Sequence, residues 1–133
     1  NAARFVLMNL EGADMEILKK GAVKLGVADK KILKELAQVK KSTAKLIETF
    51  KFYQAAENLY HYFWHTFADK IIEESKARLN GADEKEKQTA QFLTFTILVE
   101  CLKMLHPFMP FVTEEIYQKL PIKKEKMLMV ESW

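Results

Sequence analysis

Cysteine, proline and glycine are nearly missing from these 133 residues, at one, three and four of each. A lone cysteine, Cys101, excludes a disulfide framework and a cysteine-built metal cluster, and makes a reducing cytoplasm the expected setting. The glycines Gly12, Gly21, Gly26 and Gly81 stand in neither phosphate-loop nor dinucleotide spacing. No apolar run approaches the roughly 18 residues of a membrane span, and no charged-then-apolar leader is present, so no membrane partner is expected. Ser42, Ser75 and Ser132 lack an elbow motif and a neighbouring base, and Cys101 lies in the most apolar segment, so no catalytic residue is expected within the chain.

What is present favours helix. Almost half of the residues are apolar, β-branched runs that alternate with polar residues are absent, and Leu, Ala, Lys and Glu abound. The expected fold is an all-α bundle of about four to five helices, one domain spanning 1–133, with a short extended tail at 127–133. The opening Asn1-Ala2-Ala3-Arg4-Phe5-Val6 reads like the inside of a helix, which marks the chain as an expected piece of something longer.

Apolar residues at Ile32, Leu36, Val39, Leu46, Ile47 and Phe50 define one long helical face, for which Asp29 is the expected N-cap. A joint at Phe52-Tyr53 precedes a second stripe of Ala56, Leu59, Tyr60, Phe63, Phe67 and Ile71, which runs to Leu79. Asn80-Gly81 supplies the residue types of a left-handed helix end. Asp83 and Glu86 have the order of a capping box, and the helix they start is apolar nearly all round from Phe92 to Leu105, as a central helix is. Pro107 stops that helix and Pro110 suits the first turn of the next, with Phe108 and Met109 expected to bury the corner between them.

Glu57, His61, His65 and Asp69 step along one helix at four-residue intervals, in the manner of metal ligands. A polar line is also what the outer face of any amphipathic helix carries, and the paired Glu-x-x-His motifs of di-iron bundles are absent, so no metal site is expected. Tyr60 and Trp64 fit the core better than a base-stacking surface, while Tyr62, off the stripe, is expected to be exposed.

Charge is the sharper signal. Between Lys19 and Lys45 there are nine lysines against Asp29 and Glu35, a local balance of +7 in a chain whose total is +3. Such concentration suits a polyanion, of which nucleic acid is the commonest.

Two rare strings then stand in the same order: Asn1-Ala2-Ala3-Arg4-Phe5-Val6-Leu7-Met8-Asn9, and Leu105-His106-Pro107-Phe108-Met109-Pro110-Phe111-Val112-Thr113-Glu114-Glu115-Ile116-Tyr117. With Ala28-Asp29-Lys30, with Phe63-Trp64-x-x-Phe67-x-Asp69, and with the closing Met127-Leu128-Met129-Val130-Glu131-Ser132-Trp133, the chain resembles the valyl-tRNA synthetase family of class I aminoacyl-tRNA synthetases. The resemblance implies the helical anticodon-binding domain of a cytoplasmic valine-tRNA ligase. Its partners would be the anticodon stem-loop of a valine tRNA and a catalytic domain of the same polypeptide, which would use ATP and Mg. The early part of this domain approaches the anticodon in the family, which implies RNA contacts at Arg4, Asn9, Lys19, Lys24, Lys30, Lys31 and Lys34. Lys31 stands where the family often has an aromatic residue, and Ala68 and Lys70 replace a Cys and a Trp common there. The corresponding domain of an isoleucyl or leucyl enzyme is the nearest alternative, and a free-standing helical protein-interaction module is the alternative of another class.

Overall fold

The computed structural model describes residues 1–122 and 127–133, and helices account for most of them. The elements are α1 (Ala2–Asn9), α2 (Met15–Lys20), α3 (Val27–Glu48), α4 (Phe52–His61), a π-helical stretch (Tyr62–Ile71), α5 (Ile72–Leu79), α6 (Glu84–Leu105) and α7 (Pro110–Gln118), then a 3₁₀ turn (Leu128–Val130). An all-α bundle was expected and is observed, but α2 and the turn within the extended tail were not anticipated.

Helix α6 is the axis. Its buried residues include Leu93, Phe95, Ile97, Leu98, Cys101, Leu102 and Met104, which point to several sides of the helix rather than one. Helices α1, α2, α3, α4, α5 and α7 all pack on it. Asp83 caps its start by accepting from the Lys85 and Glu86 amides. Glu86 does not return the bond as a capping box requires; its carboxylate takes the Nε of Arg78 at 2.8 Å instead.

The same arginine fixes α3. Gly26, not Asp29, is the N-cap, and Asp29 sits three residues on, where its carboxylate accepts from the Gly26 amide at 2.9 Å. Asp29 is nearly covered and also receives the Arg78 guanidinium at 2.8 and 3.3 Å. One cation thus clasps the beginnings of α3 and α6 to the end of α5. Burial alone would raise the Asp29 pKa, but the bonds from Arg78 and Gly26 outweigh it and hold the carboxyl below its ordinary value.

Between α3 and α4 the chain turns at 49–51, slightly earlier than the expected joint. The Phe50 amide donates to the Ile47 carbonyl and the Lys51 amide to that of Leu46, the paired bonds of a Schellman ending. Phe50 occupies the left-handed position at φ 60° and is 80% exposed, so it lies outside the core stripe assigned to it. Gly81 takes no such conformation; the left-handed glycines among the described residues are Gly12 and Gly21. Gly21 ends α2 against Phe92.

The second stripe changes period along its length. Ala55, Leu59 and Tyr62 are buried at α spacing, Phe67 follows after five residues, and then come Ile71, Ile72, Ser75 and Leu79. A five-residue step is what i→i+5 hydrogen bonding imposes. The expected exposures are inverted: Tyr62 continues the Ala55–Leu59 face and is buried, whereas Tyr60 and Trp64 are exposed and stack on each other at 5.0 Å. Burial pushes the Tyr62 phenol well above the usual range, and its hydroxyl meets no partner among the described residues.

The proline corner forms where expected, with Pro110 at the start of α7. It is less buried than its composition implies, because Met109 and Phe111 face solvent and Phe108 is only partly covered. Polar bonds lock it. The Thr113 hydroxyl donates to the Met109 carbonyl at 2.7 Å, so at the 2.8 Å contact with His106 it is Nδ1–H of the imidazole that donates.

Thermal and urea unfolding should register three effects on stability. Thr113→Val keeps the shape but strips both bonds, and should cost about 1–3 kcal/mol. Tyr62→Phe removes a hydroxyl without a partner and should be neutral or stabilising by up to about 1 kcal/mol. Because the folded-state pKa of Asp29 is depressed, its contribution is complete above the ordinary carboxyl pKa of 3.8 and is lost as the pH falls through the folded value. Arg78→Met should lower neutral-pH stability by about 2 kcal/mol and shrink the extra loss of stability in acid.

Candidate nucleic-acid interface

Lysines at one end of the bundle form the strongest charged feature. α1 runs antiparallel to α6, since the Asn9 carbonyl accepts from Gln91 Nε2 at 2.8 Å while the groove beside the other end of α6 is lined by Asn1, Ala2 and Leu105. α3 runs parallel to α6, as the Asp29–Arg78–Glu86 clasp at one end and the 2.6 Å Lys40–Glu100 pair farther along require. The end of α1, all of α2, the 21–26 connection and the start of α3 therefore share the end of the molecule where α6 begins.

Local bonds fix that end. Asp14 caps α2 by accepting from the Glu16 and Ile17 amides. The Thr89 hydroxyl shares its proton between the Lys85 carbonyl at 3.0 Å and the Lys24 carbonyl at 3.2 Å, which ties the connection to α6 while leaving the Lys24 side chain outside. Lys19, Lys24, Lys30, Lys31 and Lys34 are all exposed on this frame. Among the described residues the nearby ion pairs engage other lysines, Lys20 with Glu16 at 3.8 Å and Lys40 with Glu100. Lys40 serves the α3–α6 packing; the five at the end present their charge to solvent.

Of the remaining two sequence-derived residues, the structure separates Arg4 from this set and keeps Asn9 near it. Arg4 is exposed on α1, beside a groove shared with Ile116 and Lys119. Asn9 lies at the basic end, but its Nδ2 donates to the Phe5 carbonyl at 2.8 Å, so half of its amide is already used to finish α1.

Sequence reasoning missed Arg78, the residue that orients the start of α3. The available signal was Asp29, an acid three residues beyond a glycine cap, whose burial needed a cation that no local spacing identifies. His61, His65 and Asp69 remain exposed, with His65 Nδ1 3.6 Å from Asp69. Among the described residues no group of three or more His, Cys, Asp or Glu is placed to hold a metal ion. No described helix is long and apolar enough to cross a membrane.

Known proteins carry the same pattern. The family described as "Anticodon-binding domain of tRNA ligase" matches residues 29–133. The chain is 46% identical to a valine–tRNA ligase of Syntrophotalea carbinolica over 91% of its own length and 14% of that protein. It is 40% identical to the Petrotoga mobilis valine–tRNA ligase over 99% of its length, and 38% identical to that of Bacillus subtilis over its whole length, 15% of each relative. The chain thus spans about one-seventh of the curated relatives it matches. With its helical bundle and this match over most of its length, the chain belongs to the family of anticodon-binding domains of tRNA ligases.

Proposed function

We propose that this domain holds the anticodon stem-loop of a valine tRNA for a valine-tRNA ligase of the cytoplasm, so that the distant acceptor end reaches a catalytic domain elsewhere in the polypeptide. The observation that carries the reading is the set of exposed lysines at one rigid end of a bundle whose relatives are valine–tRNA ligases. Lys19, Lys24, Lys30, Lys31 and Lys34 take phosphates, while Arg4 and Asn9 are left to base-edge or phosphate contacts. Loop bases of RNA can be splayed and read, and phosphate contacts set the register in which they are read.

We assign the ATP and Mg²⁺ that such a ligase would use to its catalytic domain. In the described part of this chain the left-handed glycines, Gly12 and Gly21, sit singly at turns, and no carboxylate cluster among the described residues awaits a cation. Activation of valine is assigned to the same catalytic domain.

One feature favours a second, protein-facing reading. Phe111 is 90% exposed, and its neighbour Val112 lines a groove of about 540 Å³ formed with residues of α1, α5, α6 and the π-helical stretch. A domain that served only as a protein-interaction module would show no preference among tRNAs.

Filter binding decides between them. The chain should prefer valine tRNA to the same tRNA with a changed anticodon. Replacing Lys30, Lys31 and Lys34 together by Gln should weaken binding and flatten the log–log salt slope by about one for each phosphate left without its lysine. Unchanged affinity and slope would remove the basic end from the RNA surface.

A further inference from the structure

The α3–α4 corner combines features that an ordinary helix connection does not need. Phe50 stands where a Schellman ending usually places glycine, in a left-handed backbone that costs most side chains energy. The ring gains no burial in return: Phe50 and Tyr53 are each 80% exposed and Phe52 is 51% exposed. Phe50 and Phe52 meet edge to face at 6.1 Å, forming a small aromatic ledge beside Lys51.

A basic stripe leads to this ledge. At 100° per residue, Lys30, Lys34, Lys41 and Lys45 fall within about 60° of one another around α3, and the stripe extends about 22 Å along its axis. All four are exposed, and the buried positions Leu36 and Thr43 lie on the opposite side. Lys30 and Lys34 belong to the basic end already described; Lys41 and Lys45 continue the line to the aromatic corner. Cations that track a strand and rings that accept bases make up the usual surface for unpaired RNA.

We infer that the corner is a second RNA contact: the phosphate strand of the bound tRNA runs along Lys41 and Lys45, and an unpaired nucleotide beyond the anticodon stem stacks on Phe50, Phe52 and Tyr53. The assignment rests on the RNA-binding reading above. It places two contacts on one rigid helix, so the domain senses the distance between two parts of the tRNA as well as the anticodon itself.

The test compares intact valine tRNA with its isolated anticodon stem-loop, by fluorescence anisotropy with the 133-residue chain. Phe50→Gly suits the left-handed position, so it should raise the melting temperature while weakening intact-tRNA binding by about tenfold. Lys41→Gln with Lys45→Gln should lower the salt slope for intact tRNA by about two. Stem-loop affinity should stay within about twofold for Phe50→Gly, because the nucleotide assigned to the corner lies outside the isolated stem-loop. Equal binding of intact tRNA by Phe50→Gly and the unchanged chain would overturn the second contact, as would equal losses for both RNAs. If the Lys30, Lys31 and Lys34 variant still loses affinity in that case, the anticodon reading survives; if neither set matters, or neither RNA binds, both fall.

Discussion

Burial of α6 on several sides is the constraint from which the rest of the architecture follows. A helix whose Leu93, Phe95, Ile97, Leu98, Leu102 and Met104 are all covered cannot lie at a surface, so the other helices must enclose it. Enclosure determines directions. α1 and the α4-to-α5 rod run against α6, α3 runs with it, and the start of α3 arrives beside the start of α6. The apolar core says little about RNA, yet it decides which lysines become neighbours.

Polar bonds then refine what burial leaves loose. Arg78 ties Asp29 and Glu86 together, and so prevents the start of α3 from sliding along α6. The Thr89 bond to the Lys24 carbonyl does the same for the connection before it. A phosphate-binding surface gains from such stiffness, because cations held on a fixed frame lose less conformational freedom when RNA arrives. The chain thus uses its arginine bridge for orientation and leaves the lysines of the basic end to the solvent.

Much of this was legible in the residues. The long α3 face, the Asp83 cap, the 92–105 stretch of α6 that is apolar nearly all round and the two prolines each declare a local rule whose outcome tertiary packing did not change. The failures have identifiable causes. Tyr60 and Tyr62 are misplaced by the expected stripe because the buried face of α4 runs through Ala55, Leu59 and Tyr62, and past Tyr62 a π-helical stretch changes the period, which nothing in the Tyr62–Ile71 composition announces. Phe50 was assigned to the core by its spacing, whereas the chain had already turned away from that face. The proline corner looked buried because it is apolar, but Phe111 and Met109 remain in solvent. For the site, sequence alone identified a basic segment; that its five end lysines share one frame while Arg4 lies apart required the direction of each helix.

Whether RNA sits on the basic end of the bundle is tested most directly by a proximity crosslink. Cys101 is buried and its thiol is pushed far above the reactive range, so a single introduced cysteine can carry a photoreactive group. Placed by Lys31→Cys it should crosslink to the anticodon loop of valine tRNA and be displaced by unlabelled valine tRNA, while the same group placed by Asp69→Cys, exposed on the π-helical stretch beside the other end of α6, should not. Equal crosslinking from both positions, or crosslinking from Asp69→Cys alone, would contradict that placement of the RNA.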